Sequence, residues 1–258
     1  MHHTDLPGRK TIPFYEKGNV RIRYEEAGSG FPLFIIYGGG LNSKVSYSNG
    51  PFDVVAEFKS EYRCISMDLR NANGGQSTGP LDFDSPWDAH TGDQVGLLNH
   101  LGVDKFLVMG FCIGNPLIWN LQKRAPGRVV ASVHAQPSGV DPNYPDFFIK
   151  NNLKIWAPGL VASRPDITMD LVQYYLNKMY GGVDFVLTVT RDFVRACQTP
   201  LLVLPDNVPS HPYAVAMEMV HLAPNVQVSL FPWKDNKENV KLAVRHIRTF
   251  LKANRPEV

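Results

Sequence analysis

The chain, 258 residues long, predicts an α/β fold: a mostly parallel central sheet with helices on both faces. Three observations carry that expectation. Strand-length apolar runs alternate with stretches of helical spacing along most of the sequence, the pattern of repeated β-α units. One run, residues 32–37 (PLFIIY), ends directly in Gly38-Gly39-Gly40. Another, residues 105–111 (KFLVMGF), enters Gly110-Phe111-Cys112-Ile113-Gly114 and passes at once into a helix-like segment, 113–123. A sharp strand-to-helix turn needs glycine on both flanks, because strand and helix approach too closely there for a side chain.

The remaining elements follow in order. Residues 19–25 (NVRIRYE) alternate as a strand does, and 62–67 (YRCISM) read as the strand after the glycine-terminated one. Helical spacing covers 87–101 and stops near Gly102. A further strand is expected at 128–135 (RVVASVHA). Beyond Gln136-Pro137-Ser138-Gly139 the strand rhythm is lost, and residues 138–196 carry aromatics in helix-like pieces. This segment is expected to be a helical cap with its own small aromatic core, inserted into a core domain formed by 1–137 and 197–258. Gly181-Gly182 reads as a hinge or helix stop. Strand character resumes at 199–204 (TPLLVL), followed by helix 213–222, strand 226–231 and a terminal helix 238–253.

Composition narrows the function. With 44% hydrophobic and 19% charged residues the chain can bury a full core. A net charge of +2 without basic runs gives no reason to expect nucleic acid. No apolar run is long enough to cross a membrane, and the first eighteen residues lack the apolar core of a signal peptide. Cys64, Cys112 and Cys197 form no even framework, which fits a reducing, cytoplasmic setting. No His or Cys pair has metal-ligand spacing, so neither a metal nor another cofactor is expected. A small-molecule substrate is the expected partner, and a homodimer through the cap or the sheet edge is compatible with the pattern.

Cys112 is the residue most suited to chemistry. At a turn preceding a helix, a thiol ionises more readily than a free one. The same strand–turn–helix frame, with Tyr37-Gly38-Gly39-Gly40, the loop 67–77 (MDLRNANGGQS), the strand TPLLVL and the closing helix HIRTFL, resembles the α/β-hydrolase superfamily over nearly the whole chain. The resemblance implies an α/β-hydrolase fold and places Cys112 at the nucleophile, as in the dienelactone-hydrolase branch. It also implies an oxyanion hole from the N–H of Ile113 with that of Gly39 or Gly40.

The family histidine is missing. The loop after the last strand reads Phe231-Pro232-Trp233-Lys234-Asp235. His211 is the leading replacement, since Asp206 and His211 share the loop where the family carries its acid; Asp206 or Asp235 would fix its tautomer. The competing reading is that Ser210-His211-Pro212 caps the following helix. His134, at the end of its strand, could line the pocket instead, as could Tyr37 and Trp233. His90, His100, His221 and His246 read as packing or surface positions. The expected activity is cofactor-independent hydrolysis of an ester, lactone, thioester or activated amide. The alternatives are a lyase or C–C bond-cleaving enzyme on the same scaffold, or a ligand-binding protein that has lost catalysis.

Overall fold

The computed structural model describes residues 12–45 and 50–256; most of the N-terminal stretch read above lies outside them. An eight-stranded sheet runs through the molecule in the order β1-β2-β4-β3-β5-β6-β7-β8. Its strands are β1 (Phe14–Lys17), β2 (Val20–Ala27), β3 (Pro32–Ile36), β4 (Arg63–Met67), β5 (Phe106–Cys112), β6 (Val129–Pro137), β7 (Leu201–Leu204) and β8 (Val226–Val228). The β1–β2 and β2–β4 pairs are antiparallel, and every pairing from β4 to β8 is parallel. The α/β-hydrolase fold expected from the sequence is the fold observed.

Strand parity explains the two covered faces. Leu33 and Ile35 of β3 join Leu107 and Met109 of β5 against α1 (Val54–Phe58) and α9 (Lys237–Asn254). The intervening Phe34, Ile36 and Val108 point the other way, into the core made with α2 (Pro86–His100) and α3 (Gly114–Arg124). Side chains two apart on a strand share a face, so continuous apolar runs are what a doubly covered parallel sheet requires. On α9 the buried positions Ala243, Val244, Ile247, Phe250 and Leu251 fall on one helical stripe.

Two elements escaped the sequence reading, β1 and α1. Both are short, and α1 owes its start to Asp53, whose carboxylate accepts from the Ala56 N–H at 2.9 Å. The last strand is also shorter than expected and ends at Val228.

Between β6 and β7 lie four helices: α4 (Phe147–Ile155), α5 (Ala157–Ser163), α6 (Met169–Tyr180) and α7 (Arg191–Ala196). Their apolar residues do not form a separate core, contrary to expectation. Trp156, Tyr175, Met179 and Tyr180 belong to the same cluster as Leu97 and Leu117 of α2 and α3. Polar ties reinforce this: Trp87 Nε1 donates to the Met179 carbonyl at 2.7 Å, and Asn73 Nδ2 to that of Trp156 at 2.9 Å. Gly181 ends α6, its N–H donating to the Asn177 carbonyl. α8 (Tyr213–Leu222) covers β7 and completes the element order.

Candidate active site

The elbow between β5 and α3 is sterically forced. A Cβ on Gly110 would lie 2.7 Å from the Ile118 side chain and 2.8 Å from the Gly114 backbone; one on Gly114 would lie 2.8 Å from the Ile36 carbonyl oxygen. Cys112 sits between them in the left-handed region, φ 53, a conformation that non-glycine residues hold only where the surroundings impose it. Asn115, in the first turn of α3, supplies part of that constraint. Its Nδ2 donates to the carbonyls of Cys112 at 3.0 Å and Ala135 at 2.9 Å.

The Cys112 thiol opens into a cavity of about 780 Å³. Tyr37, Gly39 and Gly40 line it from the end of β3, Phe147 and Asn152 from α4, and His211 from the loop after β7. Gly39 (φ 105) and Gly40 (φ 60) turn the chain into a short 3-10 helix, Gly40–Asn42, through backbone conformations that suit glycine. Neighbouring Gly38 lets this loop close on the elbow, since a Cβ there would already stand 3.4 Å from that of Cys112. Burial, then the Asp53 charge, pushes the Tyr37 hydroxyl up to about 12, so it stays protonated.

His211 is fixed by one nitrogen and free at the other. Its Nδ1 lies 2.9 Å from Asp206 Oδ2. Nε2 is buried without a hydrogen-bond partner, on a ring that lines the same cavity as the Cys112 sulfur. The competing helix-cap reading does not describe this loop, because α8 has no side-chain cap.

Electrostatics favours a thiolate beside an imidazolium. Burial alone would push the Cys112 thiol up; His211, the Ser138 hydroxyl at 3.4 Å and the Ile113 N–H outweigh it and bring the thiol down to about 7. Burial likewise pushes His211 down, but the Cys112 sulfur and Asp206 raise it to about 9. Desolvation works against the Asp206 carboxylate as well. Hydrogen bonds from His211, Lys234, Gln136 and the Asn207 N–H nevertheless hold it well below the usual carboxylate range.

Five sequence-predicted positions do not line this cavity: Asp206, which bonds to His211, Ile113, whose N–H acts on Cys112, and His134, Trp233 and Asp235. His134 is fully buried, packed on Trp119 with ring centroids 5.1 Å apart, and 3.1 Å from the Ser132 hydroxyl. Parity is the reason: Ala131, Val133 and Ala135 face α9, so His134 faces α3. Trp233 is also buried and donates to the Pro205 carbonyl at 2.8 Å. With Asp235 it borders a separate small pocket behind Asp206. It is Asp206, not Asp235, that bonds to His211. Conversely, Ser138, Gln136 and Lys234 were not singled out from sequence. Gln136 has φ 51, which breaks the strand parity and lets Nε2 reach Asp206 Oδ2 at 2.9 Å. Among the described residues no cluster of His, Cys, Asp or Glu could hold a metal ion, and no helix is long and apolar enough to cross a membrane.

Comparison with known proteins places this geometry. The profile of the alpha/beta hydrolase fold family matches residues 32–165. The chain belongs to the alpha/beta hydrolase fold family. Haloalkane dehalogenase 2 of Mycobacterium tuberculosis is 26% identical over 115 residues, which are 43% of this chain. The match spans 38% of the length of that relative. Among solved structures, the meta-cleavage product hydrolase of Pseudomonas fluorescens IP01 superposes with a TM-score of 0.62 at 17% identity, over 92% of this chain and 96% of that one. The enol-lactonase of Burkholderia xenovorans LB400 gives 0.66 at 16% identity, over 93% and 100%. These likenesses concern the alpha/beta hydrolase fold. As the sequence indicates, the loop after β8 carries no histidine; it offers Lys234 to Asp206, 2.6 Å away, and the histidine bonded to Asp206 comes from the loop after β7.

Proposed function

We propose that this chain is a cofactor-independent, cysteine-dependent acyl hydrolase acting on an ester, lactone, thioester or activated amide. The observation that carries the reading is that His211, bonded to Asp206, lines the same cavity as Cys112 beside the glycine turn. A thiolate is a far better nucleophile than a neutral hydroxyl, and an imidazolium next to it is a proton donor already in place. The Cys112 sulfur attacks the carbonyl carbon, and the oxygen that becomes anionic is held by the N–H of Ile113 with that of Gly39 or Gly40. One such donor contributes about 3–4 kcal/mol to a transition state. Collapse breaks the bond to the leaving group, which takes the Nε2 proton of His211. Water then attacks the thioacyl carbon while the neutral imidazole accepts its proton. The acid departs, and the thiolate and imidazolium are restored. Phe52, Phe111, Phe147 and Phe148 on the cavity wall suit a small to medium, partly apolar substrate, with α4 as part of a lid.

The test needs no natural substrate. An activated acetyl ester should add an acetyl mass to Cys112, and iodoacetamide should alkylate that thiol with a midpoint near 7, against about 8.5 for a free thiol. Turnover of a substrate without any acyl adduct would favour a C–C bond-cleaving lyase. Absence of an adduct together with free-thiol titration would remove the reading altogether.

A further inference from the structure

We propose that Lys234 is a positioning residue of the relay: its ammonium shares Asp206 Oδ2 with His211 and thereby keeps the His211 proton transferable. The inference rests on the reading that Cys112 and His211 act as nucleophile and proton carrier. It goes beyond that reading because Lys234 touches neither substrate nor sulfur.

The geometry is specific. Asp206 Oδ2 accepts from three side chains: Lys234 Nζ at 2.6 Å, Gln136 Nε2 at 2.9 Å and His211 Nδ1 at 2.9 Å. The other oxygen, Oδ1, accepts from the Asn207 N–H at 2.9 Å. The acid is almost wholly buried, its side chain 6% exposed, and that of Lys234 is 31% exposed. A pair in that setting is screened far less than a surface ion pair. Nor is the lysine loosely tethered. Its neighbour Trp233 is buried and bonded to the Pro205 carbonyl, which pins the loop after β8 to the loop carrying Asp206 and His211.

Two consequences follow for His211. A carboxylate oxygen that already receives an ammonium and an amide offers less electron density to a third donor. The positive charge on Lys234 also opposes that on the imidazolium. Both effects lower the proton affinity of His211 relative to a site with Asp206 alone, so they ease proton delivery to the leaving group. The charged and titratable groups around Asp206 are His211 on its own loop, Cys112 at the end of β5, and Lys234 with Asp235 after β8. Gln136, from β6, is neutral. At the start of α9, Glu238 is engaged with Lys241 at 2.8 Å.

The experiment compares the full-length protein with Lys234→Met and Lys234→Arg. Two readouts are followed: the His211 imidazole by 15N NMR titration, and the pH profile of Cys112 alkylation. Loss of the ammonium should raise the His211 midpoint above about 9 by roughly half a unit or more. Turnover of esters with poor leaving groups should fall about 3–10-fold in kcat with KM little changed, and activated esters should be affected less. Lys234→Arg keeps a cation and should restore both. An unmoved His211 midpoint in Lys234→Met would overturn the proposal, as would equal losses in the two variants, which mark a merely structural contact. If wild-type Cys112 titrates as a free thiol, the reading of the site fails first, and this inference with it. A normal wild-type profile with an unmoved variant fails the lysine alone.

Discussion

Two histidines stand beside the elbow strand in different settings, His134 on β6 and His211 in the loop after β7. Desolvation pushes both downward. His134 meets only the Ser132 hydroxyl and the Trp119 ring, so burial wins and its midpoint drops to about 3. His211 meets the Cys112 sulfur and the Asp206 carboxylate, and rises to about 9. Burial therefore does not decide what a histidine does. The neighbouring charges decide it: they leave one ring neutral in the core and favour the charged form of the other.

The most severe way to break the comparison is to remove each ring in turn. His211→Ala should lower acyl-ester hydrolysis by roughly 10²–10⁴-fold, the range for a lost general acid–base, and return the alkylation midpoint of Cys112 towards that of a free thiol. His134→Gln should leave the rate per folded molecule unchanged. Steady-state kinetics on both variants measures this, and a comparable loss in His134→Gln would refute the assignment of the two rings.

Sequence reading could see one half of this contrast and not the other. The elbow was legible because Gly110, Cys112 and Gly114 lie within five consecutive residues and each flank has a local steric reason. The sheet was legible because β3 and β5 are continuously apolar, as doubly covered strands must be. His211 and Asp206 were legible through their shared loop. His134 misled because proximity to a strand end says nothing about which face the side chain takes, and the pairing of β6 against β5 settles that only in three dimensions. Gln136 depends on a single positive φ. Lys234 depends on Trp233 docking two loops that are about thirty residues apart. Neither leaves a periodic trace. The aromatics of α4 to α6 were recognised as apolar, but whether they pack on each other or on α2 is a question of docking that no spacing answers.

A second, smaller effect concerns stability. His134 fills core space beside Trp119, so His134→Ala should destabilise the fold by about 2–4 kcal/mol through a cavity and the lost hydrogen bond to Ser132. His211→Ala, at the cavity wall, should cost less than about 1.5 kcal/mol. Urea midpoints at neutral pH, converted with a common slope, measure the difference. A reversal of the order would mean that the relay, not the core beneath β6, is the stabilising polar cluster.

The smallest effect is the pH dependence of that stability, and it separates the two regions by sign. For His134 the folded midpoint, about 3, lies below the unfolded value of 6.5. The unfolded chain therefore binds a proton that the folded one refuses, and stability falls as pH drops from 6.5 towards 3. The slope is at most about 1.4 kcal/mol per pH unit for one such group. His90, buried against the Tyr175 hydroxyl at 3.0 Å, adds in the same direction. Asp206, whose carboxyl is depressed, adds at the acid end, its contribution being lost as pH falls through the carboxylate range. His211 has the opposite sign: raised to about 9, it contributes stability below 6.5 that is lost as pH rises through 9. Cys112, lowered to about 7 from 9, contributes stability above 9 that is lost as pH falls through 7. These two oppose each other, because the proton missing from the thiol is the one retained on the imidazole. Between 7 and 9 the folded pair and the unfolded pair bind nearly the same number of protons, and the wild type should show an almost flat stability there. Cys112→Ala removes the sulfur that raises His211 most, so its His211 midpoint should fall below about 9. An unmoved His211 midpoint in that variant, or a wild-type stability that changes steeply between 7 and 9, would show that the sulfur and the imidazole do not exchange charge as a pair.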